Sequence, residues 1–354
     1  MKKTLLLIAV SALAVFASYA DGPTGFRITG QLQTGLQDVV TISGYTAVDA
    51  VSLYDSDSGN PSRFRIGLFF TSPDDNWGLT ARLDNEVLAG SPFISPAWNQ
   101  ALVWGNVFER YVTVKAGLLD EQAFSFTWKT WGKENIWGDE FDGSLGAEIQ
   151  VRPIPGLQVG WVLPIVHGTG IYNAIQSSYA AVSFSVPGML KAVGGLQLSP
   201  AYSTSAWVGA DLLAVSDLTA RFAAQALNIG DSYNAWLELY QEAGYPFLGI
   251  LAAVKGWEEI YAAPNSSIAW QAEPSISYPL GNFTMTVLGD VGTLLAFDPN
   301  PGLASLPFGI GVGVAVAYAP VQASTITLGA LYKVPDISAT NSILQIFVDF
   351  QWYF

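Results

Sequence analysis

The sequence predicts an all-β protein, a transmembrane antiparallel up-and-down β-barrel, and three observations lead there. Half of the 354 residues are apolar and only 12% are charged, with a mean hydropathy of +0.32, too oily for an ordinary soluble domain. Beyond residue 20 no apolar run reaches the roughly 18 residues that a membrane helix needs, because Gly, Asp, Gln, Ser or Asn interrupts each stretch. The oily residues instead alternate with polar ones, as in strands that face lipid on one side and water on the other. The absence of cysteine removes disulfide scaffolds and thiolate metal sites, and the net charge of −14 argues against nucleic acid as a partner.

Taken in order, Lys2 and Lys3, the apolar stretch Thr4 to Phe16, and the small residues Ser18 and Ala20 predict a cleaved secretory signal peptide over 1–20. A single barrel domain is expected over 21–354. The opening strand lies near Phe26 to Gln33, and Asp38 to Ser52 has blurred periodicity, as does Trp98 to Asn106. Phe64, Ile66, Leu68 and Phe70 alternate up to a Pro73-Asp74-Asp75-Asn76 turn, and Trp77, Leu79, Ala81 and Leu83 follow it. Further tight connections centre on Phe108-Glu109, Pro153-Ile154-Pro155-Gly156, Pro187-Gly188, Ser216-Asp217, Gly244-Tyr245-Pro246, Pro279-Leu280-Gly281-Asn282 and Pro320-Val321-Gln322. Leu145, Ala147, Ile149 and Val151 before one of these turns, and Leu157, Val159, Trp161 and Leu163 after it, make the cleanest hairpin. Eight hairpins with an opening and a closing strand give 18 strands, with 16 as the alternative; an even total puts both termini on one rim. Pro274, in mid-strand, predicts a bulge, since a closed barrel has no free edge for a residue without an N–H.

At the end of the chain Leu344, Ile346, Val348, Phe350, Trp352 and Phe354 form one oily face with period two, opposite Gln345, Asp349 and Gln351. A terminal Phe closing an alternating aromatic strand resembles the C-terminal assembly signal of bacterial outer-membrane proteins, with Trp352 and Phe354 as its carriers. Over the mature chain the architecture and end motifs are similar to those of porins. That resemblance implies short periplasmic turns, long external loops, and insertion by the barrel-assembly machinery.

With the oily face toward lipid, the alternate positions face the lumen. On the earlier strands these are Arg27, Arg63, Arg65, Arg82, Lys115 and Arg152, against Asp84, Glu86 and Glu148. On the later strands they are Asp211, Glu238, Glu242, Glu273, Asp290 and Asp349, against Lys191 and Arg221. The wall reads as basic early and acidic late, so either a transverse field crosses the lumen or local pairs neutralise scattered charges.

The longest insertion, 119–143, is by this phasing the third external loop. In porins that loop folds inward and makes the constriction, so the resemblance implies the same role here, with Asp120, Glu121, Trp128, Trp131, Glu134, Asp139, Glu140 and Asp142 as candidates. Asp139-Glu140-Phe141-Asp142-Gly143 is similar to the Pro-Glu-Phe-Gly-Gly stretch of general porins, lacking the proline and one glycine. Phe124, Phe126, Trp128, Trp131, Trp137 and Phe141 make the loop unusually aromatic. They could pack it against the inner wall, form a track for sugar rings together with Trp207, Trp236 and Tyr240, or contact a neighbouring subunit or lipid.

His167, the sole histidine, has no triad spacing around it, and Asp55-Ser56-Asp57-Ser58-Gly59-Asn60 lacks the downstream glutamate of a calcium loop, so neither catalysis nor a cofactor is expected. The porin resemblance implies passive diffusion of small hydrophilic solutes or ions across the outer membrane, in contact with its lipid, by a homotrimer. A closed barrel acting through its surface loops is one alternative. A fatty-acid-type transporter is another, although Asp21 to Phe26 is too short for a hatch.

Overall fold

The computed structural model describes residues 25–43, 46–53, 62–87, 94–119, 123–130, 133–137, 144–165, 175, 177–197, 204–215, 218–231, 235–261, 268–293, 308–321, 323–338 and 341–354. The proposed signal peptide, the Asp55 to Asn60 segment and His167 lie outside them. The strands are β1 (Phe26–Ser43), β2 (Thr46–Leu53), β3 (Ser62–Thr71), β4 (Trp77–Val87), β5 (Ile94–Val107), β6 (Val112–Leu119), β7 (Phe126–Thr130), β8 (Lys133–Trp137), β9 (Ser144–Ile154), β10 (Leu157–Pro164) and β11 (Tyr179–Val186). They continue as β12 (Leu190–Gln197), β13 (Thr204–Val215), β14 (Leu218–Ile229), β15 (Trp236–Phe247), β16 (Ile250–Tyr261), β17 (Ile268–Leu280), β18 (Phe283–Gly292), β19 (Gly309–Tyr318), β20 (Ser324–Val334) and β21 (Asn341–Tyr353).

Except for β7 and β8, every strand joins one sheet, and each pairing is antiparallel. The lower half of β1 pairs with β3, from Phe26↔Phe70 to Thr34↔Ser62, and its upper half with β2, from Leu36↔Leu53 to Ser43↔Thr46. β2 and β3 therefore share one position in the wall, and pairing of β1 with β21 closes a barrel of 18 strands. The blurred segment from Asp38 to Ser52 is part of this wall, as the top of β1 and β2.

Burial follows the predicted alternation, turned inside out relative to a soluble protein. Leu79, Val159, Trp161, Val312 and Val314 are exposed on the outer face, while Gln31, Gln33, Gln150, Gln271 and Asp349 are buried on the inner one. At the closing seam Gly30 and Phe354 exchange both backbone hydrogen bonds, at 2.6 and 2.9 Å. The Phe354 ring occupies the space over Gly30: a Cβ there would fall 2.1 Å from its Cζ, so any larger residue requires the ring to move.

Two local expectations need correction. The turn expected at Gly244-Tyr245-Pro246 falls farther on, at Leu248 and Gly249, whose φ of 51° and 79° give the paired left-handed geometry that suits the twist of a two-residue hairpin. Composition misplaced it because leucine carries no turn signal. Pro274 causes no bulge, since the β17–β18 register is the same on both sides of it. It sits across from Gly289, where an added Cβ would come within 3.3 Å of the proline ring, so a missing side chain accommodates it. The ladder does slip between Arg82 and Leu83, which explains the poor periodicity of β5 opposite.

Candidate functional site

Inside the barrel, β7 and β8 form their own two-stranded sheet, from Phe126↔Trp137 to Thr130↔Lys133. This hairpin belongs to the segment between β6 and β9 and packs by side chains onto the inner face of the later strands. Trp128 is completely buried, stacked on Tyr240 of β15 with centroids 5.0 Å apart and planes at 22°. Trp257 of β16 and Trp137 complete its cage at 5.3 and 5.6 Å. Glycines in the wall provide the seats. A Cβ on Gly160 would lie 2.3 Å from the Phe124 ring, and one on Gly209 would lie 2.2 Å from the Phe126 ring. Two wall donors reach the backbone of the hairpin and of the residues leading into it: Trp207 Nε1 donates to Phe124 O, just ahead of β7, at 2.9 Å, and Arg221 Nη2 to Thr127 O at 2.5 Å. Trp207 and Tyr240 are thereby buried in packing and present no face to a sugar, whereas Trp236 stays half-buried against Tyr261.

The opposite arc, β4 to β10, borders a cavity of about 600 Å³. Most of the residues lining it are polar by type, with Arg110, Lys115 and Arg152 as the cations and Trp104 as an aromatic wall. Lys115 Nζ lies 3.1 Å from Glu148 Oε2, but the two are unequally placed: Lys115 is 19% exposed and Glu148 not at all. Gln150 donates to Glu148, and Arg152 donates to Gln150 Oε1 at 3.1 Å and to Thr113 Oγ1 at 2.6 Å. Thr113 in turn donates its hydroxyl hydrogen bond to Asn106 Oδ1, 2.7 Å away. The carboxylate is thus sunk into the wall and hydrogen-bonded, while the cationic side chains line the cavity, which gives the cavity a positive surface. Arg110 is held at the lower rim by Asp75 at 3.4 Å, on a turn in which Phe108, Glu109 and Arg110 are all left-handed.

Of the other basic candidates, Arg27 sits at the lower rim with its guanidinium 4.8 Å from the Phe69 ring, and Arg65 and Arg82 are half-buried on the inner face. Arg63 is placed on β3 opposite Gln33, but its side chain lies outside the described residues, as do those of Asp84, Glu86 and Glu134. Asp120, Glu121, Trp131, Asp139, Glu140 and Asp142 fall outside them too, so among the inward-loop candidates only Trp128 has a described side chain.

The acidic candidates lie on the inner face, mostly beside polar partners. Asp211 and Glu242 flank Arg221 at 2.7 and 3.3 Å, and Tyr240 donates to Glu242 at 2.8 Å. Glu273 stands 4.0 Å from Lys255, Asp290 accepts from Gln271 at 2.9 Å, and Asp349 accepts from Gln351 at 3.1 Å. Glu238 is buried opposite Glu259. Sequence reasoning missed Lys255, Glu259 and Lys333. On β16 the outward Glu258 beside the inward Glu259 hides the alternation, and on β20 the inward Leu331 does the same for Lys333.

A closed barrel of 18 strands, apolar outside and polar within, with a hairpin packed inside it, defines a membrane-spanning β-barrel of the outer-membrane type. No protein-family model matches the chain, and no curated protein matches it in sequence. Likeness is found in three dimensions. OccAB4 of Acinetobacter baumannii matches with a TM-score of 0.58 at 9% identity, covering 92% of this chain and 98% of that one. OpdQ of Pseudomonas aeruginosa matches with 0.58 at 10%, covering 93% and 98%, and OccK5 (OpdH) of the same organism with 0.55 at 12%, covering 92% and 98%. The fold is that of the OprD/Occ outer-membrane channels of these two genera.

Proposed function

We propose that this protein is an outer-membrane channel for passive diffusion of small hydrophilic solutes or ions, running along the β4 to β10 arc. The observation that carries this reading is the polar cavity on that arc, facing a hairpin that fills the opposite side of the lumen. The hairpin narrows the path, and Arg110, Lys115 and Arg152 give it a positive surface that favours anions. Arg27, Arg63, Arg65 and Arg82 extend the basic side, and the 119–143 segment acts as the constriction. Export by a cleaved leader, insertion by the barrel-assembly machinery through Trp352 and Phe354, a surrounding shell of outer-membrane lipid and assembly as a homotrimer complete the proposal. Single-channel recording of the purified protein in a planar bilayer, with reversal potentials in a salt gradient, tests it. Stable anion-favouring channels support the reading. A second reading, a closed barrel acting through its loops, draws on the near-complete burial of Gln33, Lys333 and Asp349 on the arc around β1 and β20. Folded protein that never conducts would establish it instead.

A further inference from the structure

We propose that Arg221 is the positioning residue of the inward hairpin, a latch that holds a displaceable lid against the wall. Among the described residues no backbone ladder joins β7 or β8 to the barrel, so the lid is held by side chains. Arg221 sits at the centre of an acid-base-acid row in register across three strands, Asp211 on β13, itself on β14 and Glu242 on β15. Nε donates to Asp211 Oδ1 at 2.7 Å and Nη1 to Glu242 Oε2 at 3.3 Å, so the wall fixes the plane of the guanidinium. The remaining nitrogen, Nη2, donates to Thr127 O at 2.5 Å, and the guanidinium carbon lies 4.9 Å from the centroid of Phe126. One fork thus grips the hairpin by backbone and ring together. Glu242 is steadied by Tyr240, whose ring carries Trp128, so the polar latch and the aromatic seat share one support. Docking is also incompletely satisfied: the Trp137 Nε1 is buried without an acceptor among the described residues, and lifting the hairpin would hydrate it.

This inference rests on the hairpin bordering the passage, but its test does not depend on conduction. The chain has no cysteine, so Ser125→Cys, at a buried position just ahead of β7, provides a single thiol reporter. In the full-length folded barrel the thiol should resist a charged, water-soluble reagent. Adding Arg221→Met should speed its modification roughly ten- to a hundredfold, the worth of a charge-assisted hydrogen bond, and raise open-channel conductance and current noise. Arg221→Lys keeps the charge between Asp211 and Glu242, so the barrel folds even where the methionine variant does not. Lacking the planar fork it cannot span all three partners, and it should also label faster than the parent. Unchanged labelling in folded Arg221→Lys or Arg221→Met protein overturns the latch. Faster labelling in a barrel that never conducts supports the latch while overturning the channel.

Discussion

Replacing Trp128 by alanine should unseat the hairpin without opening the barrel. Its indole is fully buried and touches three aromatic rings with centroids 5.0 to 5.6 Å away, two of them on the wall. Truncating a tryptophan in such a site costs about 3–5 kcal/mol. Because β7 and β8 contribute nothing to the barrel ladder, that loss falls on docking rather than on the wall. The ratio of docked to undocked hairpin should drop by a factor of roughly a hundred to a few thousand. Single-channel recording should then show a larger mean conductance and added fluctuation as the hairpin leaves and returns, while the barrel keeps its heat-modifiable mobility on a gel. Trp128→Phe, which retains a ring against Tyr240, should fall between the two. A folded Trp128→Ala protein with parental conductance and noise would refute the reasoning, because the hairpin would then neither depend on this residue nor narrow the path.

Gly209→Val places methyl groups where the Phe126 ring lies, with the first carbon 2.2 Å from it, and should reproduce the Trp128→Ala phenotype in the same recordings. Arg152→Gln removes a cation that, among the described residues, no carboxylate bonds directly, and its reversal potential in a salt gradient should move toward cation preference; Lys115→Gln, which takes the ion-pair partner from the buried Glu148, should fold with lower yield as well. Gly30→Leu should slow or prevent closure of the barrel, read as loss of the heat-modifiable band, because its Cβ alone would overlap the Phe354 ring. Hydrogen bonds from the Ser72 hydroxyl and from Asn76 hold the Asp74 carboxyl below its ordinary range. The order of that turn is therefore present in full above the ordinary carboxylate pKa and is lost as pH falls through the lowered value. An NMR titration showing Asp74 at or above an ordinary aspartate value would contradict this.

Much of the wall was legible because a strand's facing is local information. Phe64 to Phe70 and Leu145 to Val151 declare their outer faces by alternation alone, and Pro-Gly at 187–188 and Gly-Asn at 281–282 declare their turns by backbone chemistry. The turn at Leu248 was not legible, because a bulky residue in the left-handed region is tolerated through the sheet on either side of it. The packing of Trp128 on Tyr240 and Trp257 joins residues more than a hundred positions apart, and no periodicity reports such a meeting. The same holds for Arg221, whose sequence context says only that it faces inward; its place between Asp211 and Glu242 depends on the register of two hairpins.

The seam between β1 and β21 has a bearing on the order of events in assembly. Its thirteen registered pairs, from Gln31↔Tyr353 to Ser43↔Asn341, join the earliest and latest strands of the sheet. Until Phe354 reaches Gly30, both edges carry unpaired amides and carbonyls that hydrocarbon cannot solvate. Closure of the wall therefore hangs on β21 alone: without it, β1 and β20 would be left as two adhesive margins of an open sheet.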